Sequence, residues 1–443
     1  MSVVTPYQNE LLERDLDPTD SAWGFFNCGD VAYLSTRALR GVRGLRGLGA
    51  AACKTDAQVL AETHQMLAFT MYVRQAAAKV LSKPGRTLQP VMKGREAKLV
   101  ISPEIMPDET PPWSPLANPL REISILANVS KMRCPSFSLP AGSRRFGGSC
   151  SGARLGMTIE PEAVLRSGET GRKYIARLTG FPADASPDRW YSTAVCQYCY
   201  AIKGNYSYFS KQIAQVALFR WTDAAVKDGS FVPVMIQAIE SSPFHIKDAR
   251  DRRYLEPYGY KRVFRLHDAG DFYSSAYVAA WKRIADHFRP GAGTGTSTLF
   301  WAPSRLWAAG DGGGREWLAA FGAGGDLRRS NMVIRPSGYH TNAHAPTPLA
   351  GEVAGSVVHT TPEDSAEERA MYVTGTQISH RADGSITGLF PPPQGKGFFH
   401  YICPASRKSA KDNNCLDVIG PDGKVGCRAC WMLPDAIISY HIH

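Results

Sequence analysis

Apolar positions along the chain fall into two rhythms that change near residue 125 and again near residue 170. Over Asp56 to Leu81 the apolar residues Leu60, Leu67, Met71 and Val80 recur at helical spacing, Asp56 stands where an N-cap would, and Pro84 closes the run. From about 170 onward short β-branched or aromatic runs take over: Tyr174–Leu178, Val263–His267, Leu299–Pro303, Met332–Arg335 and Ser356–Thr360. Between them lie helical patterns over Ser207–Lys227, Phe231–Glu240, Ser274–His287 and Arg315–Phe321. Alternating strands and helices predict an α/β fold with a parallel sheet, and this many units suits a complete or partial βα barrel of the TIM type; a doubly wound open sheet is the alternative. The chain divides into a partly helical N-terminal extension (1–125), a catalytic βα barrel (126–400) and a small C-terminal cysteine-rich, zinc-binding segment (401–443).

Composition narrows the class. Hydrophobic residues make up 44% and charged residues 21% of the 443, which offsets the ordering entropy that keeps polar chains unfolded. No apolar run reaches membrane-spanning length and no secretory signal opens the chain, so the expectation is a cytoplasmic protein without a membrane partner. Lys and Arg outnumber Asp and Glu by 51 to 40, and a formal charge of +11 favours a polyanionic partner, DNA or RNA. The four arginines between Arg37 and Arg46 read as a basic, solvated loop.

Ten cysteines without an export signal point to metal chemistry rather than to a disulfide framework. Cys403, Cys415, Cys427 and Cys430 crowd the last 41 residues, and four thiolates with one x2 pair suit tetrahedral zinc; His443 or His441 is a substitute ligand. A small core of reduced cysteines is the plainer alternative. Cys196 and Cys199 form a second x2 pair which, with Cys150, makes a three-cysteine set. Three thiolates on one [4Fe–4S] cluster leave one iron open to a substrate or to S-adenosylmethionine. A second zinc site or an inert pair competes with that reading. Gly148-Ser149-Cys150-Ser151-Gly152 also fits a nucleophile elbow with cysteine in place of serine, without a clear preceding strand.

The strand at Val263 runs into His267-Asp268-Ala269-Gly270-Asp271-Phe272. Two carboxylates and a histidine at the end of a strand occupy the catalytic rim of a βα barrel, where they serve as general acid, general base or nucleophile. The alternative is that Asp271 or Ser274 caps the next helix. Ser304 and Arg305, and Arg335, Ser337 and His340, follow later strands at the same rim. The arginines suit phosphate contacts, and Trp301, Trp307 and Tyr339 suit stacking on a base. Lys203 and Tyr206, just after the central cysteine pair, are further substrate contacts.

Taken in order, Cys134-Pro-Ser-Phe-Ser-Leu-Pro-Ala-Gly142, Cys196-x2-Cys-Tyr-Ala-x-Lys-Gly-x-Tyr206, His267-Asp-Ala-Gly-Asp-Phe272 and Cys427-x2-Cys-Trp431 resemble the tailed-phage gene product 88 family over about residues 125–443. Asp268-Ala-Gly-Asp-Phe272 is similar to the Asp-Ser-Gly-Gly-Phe motif of the tRNA-guanine transglycosylase group and its phage branch that inserts 7-deazaguanines, with Asp271 in place of a glycine. That resemblance implies exchange of guanine for a modified base through a covalent glycosyl-enzyme intermediate, with Asp268, Asp271 and His267 at the centre and zinc on the C-terminal cysteines. Cys196, Cys199 and Tyr200 resemble instead the end of the radical S-adenosylmethionine signature, although Cys150 lies far upstream of its usual place. A zinc-stabilised nucleic-acid-binding protein without catalysis is the third reading. Base exchange on DNA is the leading expectation.

Overall fold

The computed structural model describes residues 70, 73–112, 116–129, 134–142, 147–150, 171–185, 194–199, 201, 206, 208–242, 259–293, 296–308, 330–343, 345–346, 353–359, 379–380, 386–387, 399–403, 430 and 436–441. Within them the fold is mixed α/β, with parallel and antiparallel sheets.

The N-terminal helix occupies 73–81, the C-terminal end of the periodic stretch; Asp56 and the arginines between Arg37 and Arg46 lie outside the described residues. The helix is followed by an antiparallel sheet of β1 (Thr87–Lys93), β2 (Glu96–Ile105) and β3 (Leu120–Ser124). In β2 the buried Ala97, Leu99 and Ile101 alternate with more exposed neighbours, the period-2 pattern of a strand with one face on the core. The sequence reading misses this sheet because its apolar residues are few and interrupted by charge.

The central sheet runs in the order β4 (Ala127–Val129), β5 (Cys134–Phe137), β6 (Arg262–Leu266), β7 (Thr298–Ser304), β8 (Met332–Pro336). β4 pairs antiparallel with β5, and every later pair is parallel. A second parallel sheet places β13 (Ala436–His441) between β12 (Phe399–Ile402) and β9 (Ser356–His359). A parallel bridge from Ser337 to Ser356, with the Gly338 amide donating to the Ser356 carbonyl at 2.8 Å, carries the array from β8 to β9. β10 (Ser379–His380) and β11 (Ile386–Thr387) make a separate two-stranded pair. Among the described strands the array stays open rather than closing into a barrel.

The strands expected at Val263, Leu299, Met332 and Ser356 are β6 to β9. The run Tyr174–Leu178 is not a strand: it lies in helix α1 (Gly171–Thr179), where Ile175 and Leu178 recur at helical spacing on the buried side. Helices α2 (Phe209–Asp228), α3 (Phe231–Ser241) and α4 (Ser275–His287) follow their apolar patterns. The Ser274 hydroxyl caps α4 by accepting from the Tyr277 amide. The helix expected at Arg315–Phe321 lies outside the described residues.

The main core forms where α2, α3 and α4 cover one face of the central sheet. Phe137, Phe264, Leu266, Phe300, Ala302, Met332 and Ile334 point there, and Trp281 of α4 lies 5.8 Å from the Phe137 ring and 5.6 Å from Phe231 of α3. No described helix is long and apolar enough to cross a membrane.

Candidate functional site

Cys150 is placed by the loop that leaves β5. The Cys150 amide donates to the Gly142 carbonyl and the Ser149 amide to the Pro140 carbonyl, both at 2.8 Å. Gly148 lies against that turn so closely that a Cβ there would stand 2.1 Å from the Gly142 oxygen, so no larger residue fits without moving backbone.

The loop after β6 fastens this turn from the other side. Leu139 donates to the Ala269 carbonyl at 2.9 Å, and the Asp271 amide donates to the Ser149 hydroxyl at 3.1 Å. Gly270, at φ +85°, sits 2.5–2.9 Å from Ser149 and Leu139 atoms when a Cβ is added. The conspicuous His267–Phe272 motif is thus a clasp that holds the Cys150 loop on the sheet.

Cys196 and Cys199 arrive separately, on a short 3₁₀ turn (Val195–Tyr198). Ala194 bridges to His340 and the Val195 amide donates to the Tyr339 carbonyl at 2.8 Å, which ties the turn to the segment leaving β8. His340 stacks on Phe181 at 3.9 Å and is buried.

The three cysteines sit on segments fastened to the chain that leaves the C-terminal ends of β5 and β8. Cys150 lies within electrostatic reach of Cys196, Cys199 and Asp271, and Arg305 within reach of all three cysteines and of Asp271. None of the three is in a disulfide. Burial pushes the Cys150 thiol well above its ordinary value and Cys196 up to about 11. The thiolates these residues would present to a metal therefore call for nearby cations, and two guanidiniums are there, Arg74 buried and Arg305 half-buried. Arg74 lies within reach of Cys150 and Cys199, and Arg305 within reach of the whole set. The net effect of the surrounding anions on Arg305 is to raise its pKa, although burial alone would lower it.

Asp271 is buried at 5% exposure. Its Oδ1 accepts from the Ser304 hydroxyl and the Phe272 amide, and its Oδ2 from the Arg305 amide, each at 2.7 Å. Burial raises its pKa to about 6 against the opposing pull of these donors. His267 is buried at a φ of +59°, with Nε2 3.0 Å from the Tyr277 hydroxyl and its ring edge-on to Phe272; burial drives its pKa down to about 3, so it is neutral. These two residues serve the clasp and the core.

Asp268 is the accessible carboxylate of the motif, at 18% side-chain exposure. It accepts from the Tyr206 hydroxyl at 2.6 Å and pairs with Arg265 at 3.5 Å, and the Arg265 guanidinium lies 4.6 Å over the Trp301 ring. Tyr206, Asp268 and Trp301 are thereby brought together. Lys203 lies outside the described residues.

Arg335 and Ser337 have other duties. Arg335 is buried and donates to the Cys430 carbonyl, to Ala354 at 2.6 Å and to Ala436 at 2.7 Å, pinning the C-terminal segment to β8. The Ser337 hydroxyl meets that of Ser356 at 2.9 Å. Of the C-terminal cysteines, Cys403 and Cys430 are buried and both lie within reach of Tyr440, whose hydroxyl is 3.3 Å from the Cys430 sulfur. Cys415, Cys427 and His443 lie outside the described residues. Among the described residues no three His, Cys, Asp or Glu side chains form a group that could hold a metal ion.

Sequence reasoning overlooked Arg74 and Ser149. A signal existed for the first: Arg74 shares the helical stripe of Ala77 and Leu81, three and seven residues on, so a charge faces the buried side.

Comparison with known proteins adds a family. Residues 114–433 match the model of the family described as gene product 88. The chain is 29% identical over 139 residues to the Gene 88 protein of Mycobacterium phage D29, and 30% identical over 139 residues to that of Mycobacterium phage L5. Each alignment covers 30% of this chain and 50% of the relative, so the chain spans about half the length of the curated relatives it matches. No solved structure gives a significant match. With more than half of its length inside the family model, the chain belongs to the gene product 88 family.

Proposed function

We propose that the protein is an iron–sulfur enzyme of the radical S-adenosylmethionine type acting on nucleic acid or a nucleotide, with Cys150, Cys196 and Cys199 as the ligands of a [4Fe–4S] cluster. The observation that supports the reading is that Cys150, on the turn fastened to β5 and to the loop after β6, lies within electrostatic reach of a cysteine pair from a distant part of the chain that is bonded to the segment leaving β8. The chemistry of the donors suits such a group: three thiols outside any disulfide, with Arg74 and Arg305 within electrostatic reach of them. A cluster asks less of geometry than a single ion does, because its thiolates bind different irons and stand apart. When bound, such a cluster supplies one electron to S-adenosylmethionine at its open iron and starts radical chemistry. The chain's own residues do the rest. The residues at 140–142 and 147–150 and the 3₁₀ turn hold the thiols, Asp271 joins the Cys150 turn to the segment after β7, and Tyr206, Asp268 and Arg265, backed by the buried Trp301, offer polar groups to a substrate. An open, partial βα barrel is the frame this reading implies, and the net charge of +11 suits a nucleic-acid substrate in the cytoplasm of an infected cell.

The test is anaerobic reconstitution. Wild-type protein is expected to retain iron and sulfide in equal amounts with broad visible absorption, and S-adenosylmethionine to perturb the paramagnetic signal of the reduced form. Colourless protein after reconstitution would reject the assignment.

Base exchange is the second reading, favoured by the accessibility of Asp268. Under it Asp268 attacks the sugar C1′ while a modified base such as a 7-deazaguanine replaces guanine in DNA, and zinc on Cys403, Cys415, Cys427 and Cys430 steadies the C-terminal segment. Asp268→Ala would then abolish exchange, read by nucleoside mass spectrometry of treated DNA; a cluster-dependent enzyme leaves guanine unexchanged in wild type as well.

A further inference from the structure

Arg74 comes from the helix at 73–81, outside the part of the chain that matches the family model. It is 2% exposed, and it bonds to the turn that carries Cys150 and to Gln212 of α2. Nη1 donates to the Ala141 carbonyl in the turn that leads to Cys150. The side chain lies along that turn: a Cβ on Gly142 would be 3.5 Å from Nη1, and one on Gly147 3.8 Å from Cδ. Nε donates to Gln212 Oε1 at 2.7 Å, and the Gln212 amide in turn donates to the Tyr206 carbonyl, in the stretch that follows Cys199. Arg74 and Gln212 together therefore link the Cys150 turn to Tyr206, seven residues beyond the cysteine pair.

We infer that Arg74 is a positioning residue of the three-cysteine site: the N-terminal extension supplies a buried cation that, through Gln212, links the Cys150 turn to the chain beyond the cysteine pair and balances the negative charge of a cluster held by Cys150, Cys196 and Cys199. The inference rests on the iron–sulfur reading above. Burying a guanidinium in a turn built of carbonyl groups is costly unless anions face it. Cys150 and Cys199 lie within electrostatic reach of it, and as metal-bound thiolates they would provide that charge. Arg305 lies within reach of the same thiols and belongs to the family-matched part of the chain, so the two cations are contributed by different parts of the chain.

The experiment uses the full chain, reconstituted anaerobically with iron and sulfide, and compares wild type with Arg74→Gln, Arg74→Lys and Gln212→Glu. Gln212→Glu sets a carboxylate against the Arg74 guanidinium and also removes the donor to the Tyr206 carbonyl, so it disturbs both the charge and the link while leaving Arg74 in place, and the question survives if Arg74→Gln does not fold. The readouts are iron and sulfide per chain, the rate of iron loss to a chelator, and the midpoint potential from a dye-mediated titration. Removing a positive charge beside a cluster favours its oxidised form. Arg74→Gln and Gln212→Glu are therefore expected to lower the potential and to lose iron several-fold faster, with Arg74→Lys nearer wild type in potential. Wild-type potential and iron retention in Gln212→Glu, together with the same in any folded Arg74→Gln, would overturn the role of Arg74. Iron-free wild-type protein would overturn the iron–sulfur reading itself, a distinct result.

Discussion

The two faces of the central sheet are built on different principles. The face under α3 and α4 is a continuous apolar layer: Phe137, Phe264, Leu266, Phe300, Ala302, Met332 and Ile334. The alternate positions mix the buried apolar Val263, Leu299, Trp301 and Val333 with Cys134, Ser136, Arg265 and Arg335. The first face is held by area removed from water, the second by such area together with directed bonds to particular atoms. Arg335 illustrates the difference, since one buried guanidinium reaches three carbonyls, of Ala354 before β9 and of Cys430 and Ala436 in the C-terminal segment. Apolar packing fixes where the sheet is; the polar face and the loops beyond it fix what can be bound.

Substitutions on each side sharpen that contrast. Phe264→Ala on the apolar face should cost about 3–5 kcal/mol in denaturant unfolding, the ordinary cost of a large cavity in a packed core. Gly148→Ala should cost about 3 kcal/mol, because the clash is with backbone and cannot be relieved by a rotamer change; it should also loosen the Cys150 loop. Arg335→Met, close in size, should cost about 2 kcal/mol by leaving buried carbonyls without a donor. If it cost nothing, the polar face would be no more specific than the apolar one.

His267 gives a smaller effect with a pH signature. Its pKa is about 3 in the folded chain against 6.5 ordinarily, so the unfolded chain takes up a proton that the folded one refuses. Its contribution is present above about pH 6.5 and is lost progressively as pH falls toward 3. His267→Asn tolerates the positive φ and does not titrate. Its unfolding free energy should therefore fall less steeply than wild type's over that window; identical slopes would show that His267 is not held neutral. Smallest of all, Lys227→Ala removes an exposed pair with Asp223 and should change stability by less than about 1 kcal/mol.

The apolar face was the legible one. Runs such as Val263–His267 and Leu299–Pro303 declare buried strands without help from tertiary contacts, and the patterns of α2, α3 and α4 declare their covering helices. The antiparallel sheet at the N-terminal side escaped because the alternation begun by Glu96, Ala97 and Lys98 is blurred in β2 by Val100, an apolar residue at an outward position between Leu99 and Ile101. Tyr174–Leu178 misled because a five-residue apolar run is too short to separate the two periods. At the site, residue types were legible and roles were not. Asp271 and His267 carry the chemistry of catalysis in their side chains, yet burial and hydrogen bonding assign them to a clasp. Cys150 could be grouped with Cys196 and Cys199 from the sequence, but their proximity depends on Gly148, Gly270 and Ser149, whose significance is visible only in three dimensions. Arg74 acts across a separation of 138 residues from Gln212, a distance over which a sequence pattern carries no information.

The most direct test of the account is the iron and sulfide content of anaerobically reconstituted Cys150→Ser beside Cys196→Ser and wild type. If the three thiols form one site, both variants lose the bound iron and the visible absorption that wild type retains. Retention of wild-type iron by Cys150→Ser, with loss in Cys196→Ser, would contradict the joining of the two segments.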